Sequence, residues 1–295
     1  MFNVLINSSN VASPNNNIYN YQFKTGSIEI PENSEAMITS FQIPYSWYNI
    51  SARYNNNKFN LYFPSGTNTY TEYQVTIPDG FYRQSDFNLY MQQWQIDNRL
   101  FLIDASGNNI YFFTFLSNST SYANQIILRL VPAEGALGTG NTKPSLTTPS
   151  PPTYPSVPRT CYIVFPTTGN FNKYAGFTTT TSYPPTPLSQ ITNYSVLSNI
   201  TPLTTTVNSL VLRCSLVNNG TSNASDIIDA FSIGSSGIST FGSNLSFFNN
   251  IEKFVSISSG RFNSITLSIV DQNLNEIAIL DNNLLISLLI RQKKF

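Results

Sequence analysis

The sequence predicts an all-β protein, a single jelly-roll β-sandwich interrupted by a small inserted α+β domain. Three observations lead to this prediction. Tyr and Phe are abundant, with 17 and 21 residues, and together with many β-branched residues they favour sheet over helix. Segments that alternate with a period of two lie towards both ends of the chain, whereas a convincing helix pattern lies between them. A jelly roll needs about eight strands, and the two ends together supply roughly that number.

The alternation places the jelly roll at residues 1–65 and 207–295 and the inserted domain at residues 66–206. The inserted domain is expected to contain one helix and an exposed loop rich in Pro, Thr and Gly. After the insertion, Val207–Val217 and Asp226–Ile233 are predicted strands, and Gly234–Asn250 is a predicted loop because Gly, Ser and Asn dominate it.

The stretch Arg261–Ile290 carries the clearest strand signals. Its first part alternates apolar and polar residues, and turn residues follow at Asp271–Asn275. Glu276–Leu280 alternates again, and Leu284–Ile290 is almost wholly apolar, as expected of a central strand covered on both faces. We therefore predict a three-stranded antiparallel meander whose last strand pairs with a strand from the N-terminal part of the chain.

The N-terminal part begins with a short apolar run and a polar arm that a neighbour would have to hold in place. Strands are predicted at Ile18–Phe23, Ala36–Tyr45 and Lys58–Phe63. Between the last two lies an aromatic cluster, Ser46–Ile50. We interpret it as a core plug beneath a sheet corner in preference to a stacking or glycan-binding surface.

The helix of the inserted domain is predicted from apolar residues that recur at helical spacing, namely Phe87, Tyr90, Met91 and Trp94. Ser85 or Asp86 is the expected N-cap. This stripe is typical of a core-facing helix and not of a cofactor site. Further strands are expected on both sides of a turn at Ser106–Asn109.

The segment Pro132–Pro158 consists largely of Gly, Pro, Ser and Thr, so it is predicted to be an exposed, mobile or extended loop. Gly135, Gly138 and Gly140 superficially resemble a nucleotide-binding loop. Their order is G-x-x-G-x-G, and no strand-to-helix context surrounds them, so ordinary turns are the better interpretation.

Charge is scarce and balanced. Charged residues make up 10% of the chain, with 15 basic and 15 acidic side chains. A surface made polar by amides and hydroxyls repels copies of itself weakly, which favours packing against neighbours. A neutral chain lacks the basic patch that sequence-specific nucleic-acid binding needs. The basic C-terminal tail, Arg291–Phe295, is interpreted as a solvated end or as a weak contact to packaged nucleic acid.

The sequence shows neither a signal peptide nor an apolar run of membrane-spanning length, so secretion and a membrane span are not expected. Cys161 and Cys214 lie far apart in apolar runs. Either a disulfide or two buried thiols in a reducing compartment fits them, and the thiols are favoured.

Catalytic chemistry is poorly supported, and we predict no catalytic, cofactor or metal site. The chain contains no histidine, which removes the commonest general base and metal ligand. Asp79 with Asp86, or Asp97 with Asp104, could be read as an acid pair, but turn and cap roles explain them better. Asp271–Asn275 resembles the start of a calcium loop, yet Glu276 and Asn282 stand where such a loop needs Gly and Glu.

Several scattered segments resemble the penton (minor capsid) proteins of virophages and Polinton-like viruses. They are Ile6–Asn10, Ser46–Ile50 with Asn55–Phe59, Ile77–Tyr82 with Asp86–Asn88, Ala175–Phe177, Leu212–Asn219, Val270–Asn273, and Asp281–Asn283 with Ile286–Ile290. These segments are spread over nearly the whole chain, and their order and spacing carry the resemblance. The loop from Glu134 to Pro158 has no counterpart in it.

The resemblance implies a structural capsid protein. It implies homopentamers at the five-fold vertices of an icosahedral virion, with the jelly roll upright beside double-jelly-roll major capsid proteins and the insertion facing outward. The protein would be made in the host cytoplasm or a viral factory. An alternative hypothesis is a receptor- or glycan-binding jelly-roll module on the virion surface, in which the insertion contacts a host receptor.

Overall fold

The computed structural model describes residues 1–145, 150–220, 222, 224–236 and 240–293. The chain divides into two compact units. The first is discontinuous and comprises Met1–Trp47 with Val207–Phe295, and the second is the inserted unit Tyr48–Thr206. Within the described residues, none of the helices has the length and apolar character needed to cross a membrane.

The elements follow one another along the chain in three stretches. The first stretch forms β1 (Phe2–Asn7), β2 (Ile18–Gln22), β3 (Ile28–Ile30) and β4 (Ser34–Pro44). The inserted unit forms β5 (Lys58–Pro64), β6 (Tyr70–Thr76), α1 (Gln84–Asp97), β7 (Phe101–Ile103), β8 (Asn109–Tyr111), β9 (Phe113–Asn118), β10 (Ala123–Leu128), β11 (Leu130–Val131), β12 (Arg159–Thr160), β13 (Tyr162–Val164), α2 (Phe171–Ala175) and β14 (Tyr194–Leu197). The last stretch forms β15 (Ser209–Cys214), β16 (Ile227–Ser232), β17 (Asn244–Phe248), β18 (Val255–Ser256), β19 (Gly260–Phe262), β20 (Ser264–Asp271) and β21 (Leu285–Gln292).

The discontinuous unit is a jelly roll, as predicted. One sheet has the strand order β1-β21-β4-β17, with β18 also pairing with β4, and the other has the order β16-β15-β20-β2. If the eight main strands are lettered B to I in chain order, these are a BIDG sheet and a CHEF sheet, the two four-stranded halves of a jelly roll. The insertion lies between the third and fourth of these strands, β4 and β15.

Alternation along the strands builds the core of this unit. In β21, Ile286, Leu288 and Ile290 are buried, and in β20 the same holds for Ile265 and Leu267. Because successive side chains of a strand point to opposite faces, each sheet presents one apolar face to the core between the sheets.

The predicted C-terminal meander is wrong in one respect. The strands β20 and β21 belong to opposite sheets and do not pair, and Glu276–Leu280 forms only a single bridge from Glu276 to Val270. The connection instead carries Ile277 and Ile279, which are buried. The expectation that the last strand pairs with early strands is confirmed, since β21 lies between β1 and β4.

The polar arm that follows β1 is held by its own unit. The Asn16 side-chain amide donates to the Ile279 carbonyl oxygen at 2.8 Å. The Tyr19 hydroxyl donates to the Asn16 carbonyl oxygen at 2.6 Å, and the Tyr19 side chain is fully buried. These contacts tie the arm to the segment before the last strand.

The inserted unit begins earlier than residue 66, where the sequence placed it. Strand β5 pairs with β6 and β13, both inside the insertion. Pro64-Ser65-Gly66 is therefore the turn of a hairpin and not a domain boundary, and the structural boundary lies between Trp47 and Tyr48. The core of this unit is aromatic, with Phe59 and Phe171 stacked at 5.0 Å between ring centroids.

Helix α1 packs on this aromatic core, as its apolar spacing predicts. Phe87 and Met91 are fully buried. The expected N-cap is wrong by two or three residues, because the cap position is Arg83. The Asp86 carboxylate reaches back and accepts a hydrogen bond from the Arg83 backbone amide at 3.1 Å, which satisfies one free amide of the helix start.

The buried polar residue of this helix is Gln95, which sequence patterns do not single out. Its side-chain nitrogen donates to the carbonyl oxygens of Met91 and Phe113 at 3.1 and 2.8 Å. Its side-chain oxygen accepts from the backbone amides of Phe112 and Phe113, both at 2.9 Å. Gln95 therefore fixes α1 to the start of β9 with a fully satisfied amide.

We expect Gln95→Leu to lower the free energy of unfolding by about 2–4 kcal/mol, because it leaves several buried backbone groups without partners. Chemical denaturation of the purified variant measures this difference. Gln93→Ala is the matched control, since Gln93 is an exposed residue of the same helix whose side-chain amide donates to the Asp97 carboxylate. Equal stability of the Gln95 variant and the wild type would contradict this role.

The Pro, Thr and Gly-rich segment is only partly the exposed loop that composition predicts. Tyr154 is buried in the aromatic core, and its hydroxyl donates to the Phe101 carbonyl oxygen at 3.2 Å. The Lys143 ammonium lies 4.3 Å from the centroid of the Tyr154 ring and also pairs with Glu134. One buried aromatic ring and one ion pair thus anchor this segment, and residues 146–149 lie outside the described ranges.

Candidate assembly surface

The outward side of the BIDG sheet is the candidate functional site. The strand registers place Leu5 of β1 opposite Ser287 of β21, Ser287 opposite Ser40 of β4, and Ser40 opposite Phe248 of β17. Directly paired residues share one face of a sheet. These four positions therefore form one row across the four strands, and we call the face that carries this row the outer BIDG face.

Two larger apolar side chains stand at the ends of the row. Leu5 is 55% exposed and Phe248 is 62% exposed. In the neighbouring row, Leu285 is opposite Asn7 and is 38% exposed. Isolated exposed apolar side chains are common on protein surfaces, but several on one sheet face are typical of a surface that another protein covers.

Hydroxyl and amide groups occupy the middle of the outer BIDG face and bond to one another. The Thr39 hydroxyl donates to the Ser287 hydroxyl at 2.8 Å, and the Ser287 hydroxyl donates to the Asn3 side-chain oxygen at 3.0 Å. Because these groups already have partners within the sheet, covering this face would leave few of them without hydrogen bonds.

Charge on this side of the sheet is concentrated in one paired cluster. Arg291 bonds to the Glu35 carboxylate at 2.7 Å and to the Glu252 carboxylate at 3.0 Å. Its guanidinium carbon lies 3.4 Å from the centroid of the Phe254 ring. The outer BIDG face thus has apolar and hydroxyl groups at its centre and paired charges at its margin. Protein interfaces are usually divided in the same way into an apolar core and a polar rim.

The outward side of the CHEF sheet has a different character. On β2 and β20 the paired positions Asn20 with Thr266 and Gln22 with Ser264 carry amides and hydroxyls. Arg213 of β15 forms a bidentate pair with Asp226, with its side-chain nitrogens 2.9 to 3.0 Å from the carboxylate oxygens. On the same side, Val211 of β15 is paired with Val270 of β20, and both are buried. The two outer faces of the jelly roll therefore differ in that the outer BIDG face carries the exposed side chains of Leu5 and Phe248.

The carboxylates considered from the sequence lie in turns and helix ends. Asp79 accepts from the Ala52 backbone amide at 2.8 Å, and Asp104 accepts from the amides of Ser106 and Asn108, both at 2.8 Å. Asp271 accepts from the amides of Asn273 and Asn275, both at 2.8 Å. The segment that resembles a calcium loop is thus organised as a turn around its first carboxylate.

Cys161 and Cys214 are both buried and unpaired, which corresponds to the favoured interpretation. Burial raises the pKa of both thiols, to about 11 for Cys214. A thiol with a raised pKa is a weak nucleophile at neutral pH, so both cysteines act as small core residues.

Phe248 is the residue of the outer BIDG face that sequence analysis missed, because Gly234–Asn250 was predicted to be a loop. Leu245 and Phe247 are buried at alternate positions of β17, so the alternation was present within a Gly, Ser and Asn-rich context. Within the aromatic cluster at Ser46–Ile50, Trp47 and Ile50 are buried, which agrees with the predicted core role of these two side chains.

Comparisons with known proteins give structural neighbours and no sequence relatives. None of the known family models matches the chain, and none of the curated proteins does. The mavirus penton protein aligns with 10% identity and a TM-score of 0.46 over 99% of both chains. A chain of the Sputnik virophage structure aligns with 14% identity and a TM-score of 0.39, over 100% of this chain and 98% of that one.

At such identities a likeness concerns the fold alone, and the fold assigned above rests on the strand order of this chain. The alignments extend along nearly the whole of this chain in both cases.

Proposed function

We propose that this protein is a structural capsid protein that forms homopentamers at the five-fold vertices of an icosahedral virion. The observation that carries the proposal is the outer BIDG face, whose exposed Leu5, Leu285 and Phe248 lie on one face of the sheet. Covering a Leu or Phe side chain contributes about 1.5–3 kcal/mol, so a neighbouring copy on this face would be stabilised.

The two unlike outer faces support a head-to-tail ring. If the outer BIDG face of one copy contacts a different surface of the next, the contact is heterologous, and repeated contacts close into a ring when the rotation fits. Two facing copies related by a two-fold axis would instead bury identical surfaces. The scarcity of charge also favours close packing, because 10% charged residues generate little repulsion between copies.

The resemblance to penton proteins supplies the rest of the proposed assembly. The inserted unit, residues 48–206, faces the outside of the particle, and the jelly roll contacts the major capsid protein. Strand β1 lies at an edge of the BIDG sheet, so its free backbone groups are available to a neighbouring chain. The role is structural and not enzymatic, in keeping with a sequence without histidine and with carboxylates engaged in turns.

Native mass spectrometry of the purified full-length chain tests the proposal. Five copies of the 32.9 kDa chain would give a species of about 165 kDa. We expect this species at micromolar concentration, and we expect the chain in purified particles in a minor, vertex-like ratio to the major capsid protein. A strict monomer that is absent from particles would contradict the proposal.

A further inference from the structure

A cleft on the inserted unit has the features of a ligand site. It is open to solvent, has a volume of about 420 Å³, and is lined by Tyr62, Asn68, Tyr70, Tyr162, Pro187 and Leu188. We call it the tyrosine cleft. One wall is a face of the sheet β13-β5-β6, and the other is the short turn at Pro187–Ser189.

The strand register builds the aromatic wall. Tyr62 of β5 is paired directly with Tyr162 of β13, and their rings stack at 4.4 Å with planes 3° apart. The rings of Tyr70 of β6 and Tyr162 form a T-shaped pair, with 4.8 Å between their centroids. The Tyr70 hydroxyl donates to the Pro187 carbonyl oxygen at 3.1 Å, which ties the opposite wall to the sheet. The cleft is therefore preformed.

The cleft combines apolar surface with hydrogen-bonding groups. Leu188 is 56% exposed at its rim, and the exposed Asn68 amide lines it. Glu72 is paired with Tyr62 in the register, and its carboxylate accepts from the Asn60 amide at 2.8 Å. A few polar groups beside aromatic surface are the usual composition of a small-molecule site.

The tyrosine hydroxyls remain neutral, and the surrounding charge is balanced. Burial raises the pKa of Tyr62, Tyr70 and Tyr162, so all three phenols stay protonated hydrogen-bond donors at neutral pH. The Glu72 carboxylate adds to the rise in the pKa of Tyr62, whereas the Arg159 guanidinium opposes it at Tyr70. With one carboxylate and one guanidinium acting on it, the cleft does not favour a strongly charged ligand.

We propose that the tyrosine cleft binds a neutral hexose ring of a glycan. The C–H groups on one face of a pyranose ring pack on the negative face of an aromatic ring. The hydroxyls at the edge of the sugar then meet the amide, carboxylate and phenol groups around the cleft. A phosphate ligand would need a cluster of cations or a helix N-terminus, and neither is among the residues that line the cleft. This binding goes beyond the proposed capsid function and does not depend on assembly.

Saturation-transfer NMR of the full-length protein tests the proposal, with the methyl glycosides of glucose, galactose and mannose as probes. We expect transfer to the ring C–H protons of at least one probe. Tyr162→Ala should weaken that binding about ten-fold. The estimate comes from nucleic-acid binding proteins, in which replacing an aromatic residue that stacks on a base by alanine lowers the affinity by a comparable factor. Tyr162→Phe, which keeps the ring, should retain most of the binding. A glycan array that carries neutral, sialylated and sulfated glycans then tests whether the protein binds neutral sugars.

The matched control is Tyr122→Ala, a 74% exposed tyrosine of the same unit that does not line the cleft. It should bind as the wild type does, and thermal unfolding of each variant should show an intact fold. No transfer from the wild type, unchanged binding by Tyr162→Ala, or binding only to sulfated or sialylated glycans would overturn the proposal. Native mass measured on the same samples keeps the two proposals separate, because a monomer that binds hexose contradicts only the capsid role.

Discussion

A chain that ends at Asn283 will not fold. The removed segment contains β21, the strand that pairs with β1 over six residues and with β4 over eight. Without it, β1 has no partner in the sheet, and one hydrogen-bonding edge of β4 is left unpaired over eight residues. A truncated protein would therefore lose half of the BIDG sheet and the apolar layer that Ile286, Leu288 and Ile290 contribute to the core.

The loss of stability that this truncation causes can be estimated from single buried residues of β21. Leu288 is fully buried, and replacing a buried Leu by Ala costs about 2–5 kcal/mol. A domain has a total stability of only about 5–15 kcal/mol, so losing the whole strand exceeds what the fold can tolerate. Soluble expression, near-ultraviolet circular dichroism and thermal unfolding of the truncated chain measure the outcome.

Two variants serve as controls. Truncation after Lys293 keeps every residue of β21 and should leave the fold intact. Leu285→Ala lies on the same strand at a position that is 38% exposed, so its effect on the stability of the unassembled chain should stay within about 0.5 kcal/mol. A folded, cooperatively unfolding protein that ends at Asn283 would contradict the jelly-roll topology described here.

The sequence predicts which strands are buried better than it predicts which strands pair. The apolar run Leu284–Ile290 correctly indicates a central strand. Its predicted pairing with the preceding strands is wrong, because alternation reports which face is covered and not which sheet a strand joins. Glu276–Leu280 shows the same limit, since Ile277 and Ile279 alternate and are buried, yet the segment forms one bridge and no ladder.

The predictions of the domain boundary and of the exposed loop were inaccurate for related reasons, since both relied on composition. Pro64-Ser65-Gly66 is strong turn chemistry, but a hairpin turn and a domain boundary use the same residues. The loop prediction averaged over a long Pro and Thr-rich segment that the buried Tyr154 and the Lys143–Glu134 ion pair anchor. One buried ring changes the character of a segment without changing its composition.

The outer BIDG face could not be predicted from the sequence, because its residues come together only through register. Leu5, Ser40, Phe248 and Ser287 lie in four distant parts of the chain, and three ladder alignments are needed to place them in one row. The tyrosine cleft has the same origin, since Tyr62 and Tyr162 meet only where β5 pairs with β13. Low charge and abundant tyrosine indicate that such surfaces exist but do not locate them.

A double variant, Leu5→Asp with Phe248→Asp, should be a folded monomer. Both side chains are largely exposed in the single chain, so the substitutions remove little from its core. In the proposed pentamer they would bury two carboxylates without partners at every contact between copies, which costs several kcal/mol each. Five such contacts close the ring, so the assembly should be lost at concentrations where the wild type is pentameric. Light scattering after size-exclusion chromatography measures the mass, and thermal unfolding checks the fold.

The control for this prediction is Leu89, which is as exposed as Phe248 but lies outside the outer BIDG face. Leu89 is 62% exposed on α1 of the inserted unit, which the proposal directs away from the jelly-roll contacts. Leu89→Asp should therefore remain pentameric and be incorporated into particles. A double variant that stays pentameric would show that the outer BIDG face does not hold the copies together. Dissociation of the Leu89 variant as well would mean that contacts between copies extend to the inserted unit, and the ring would then be stabilised by both units of the chain.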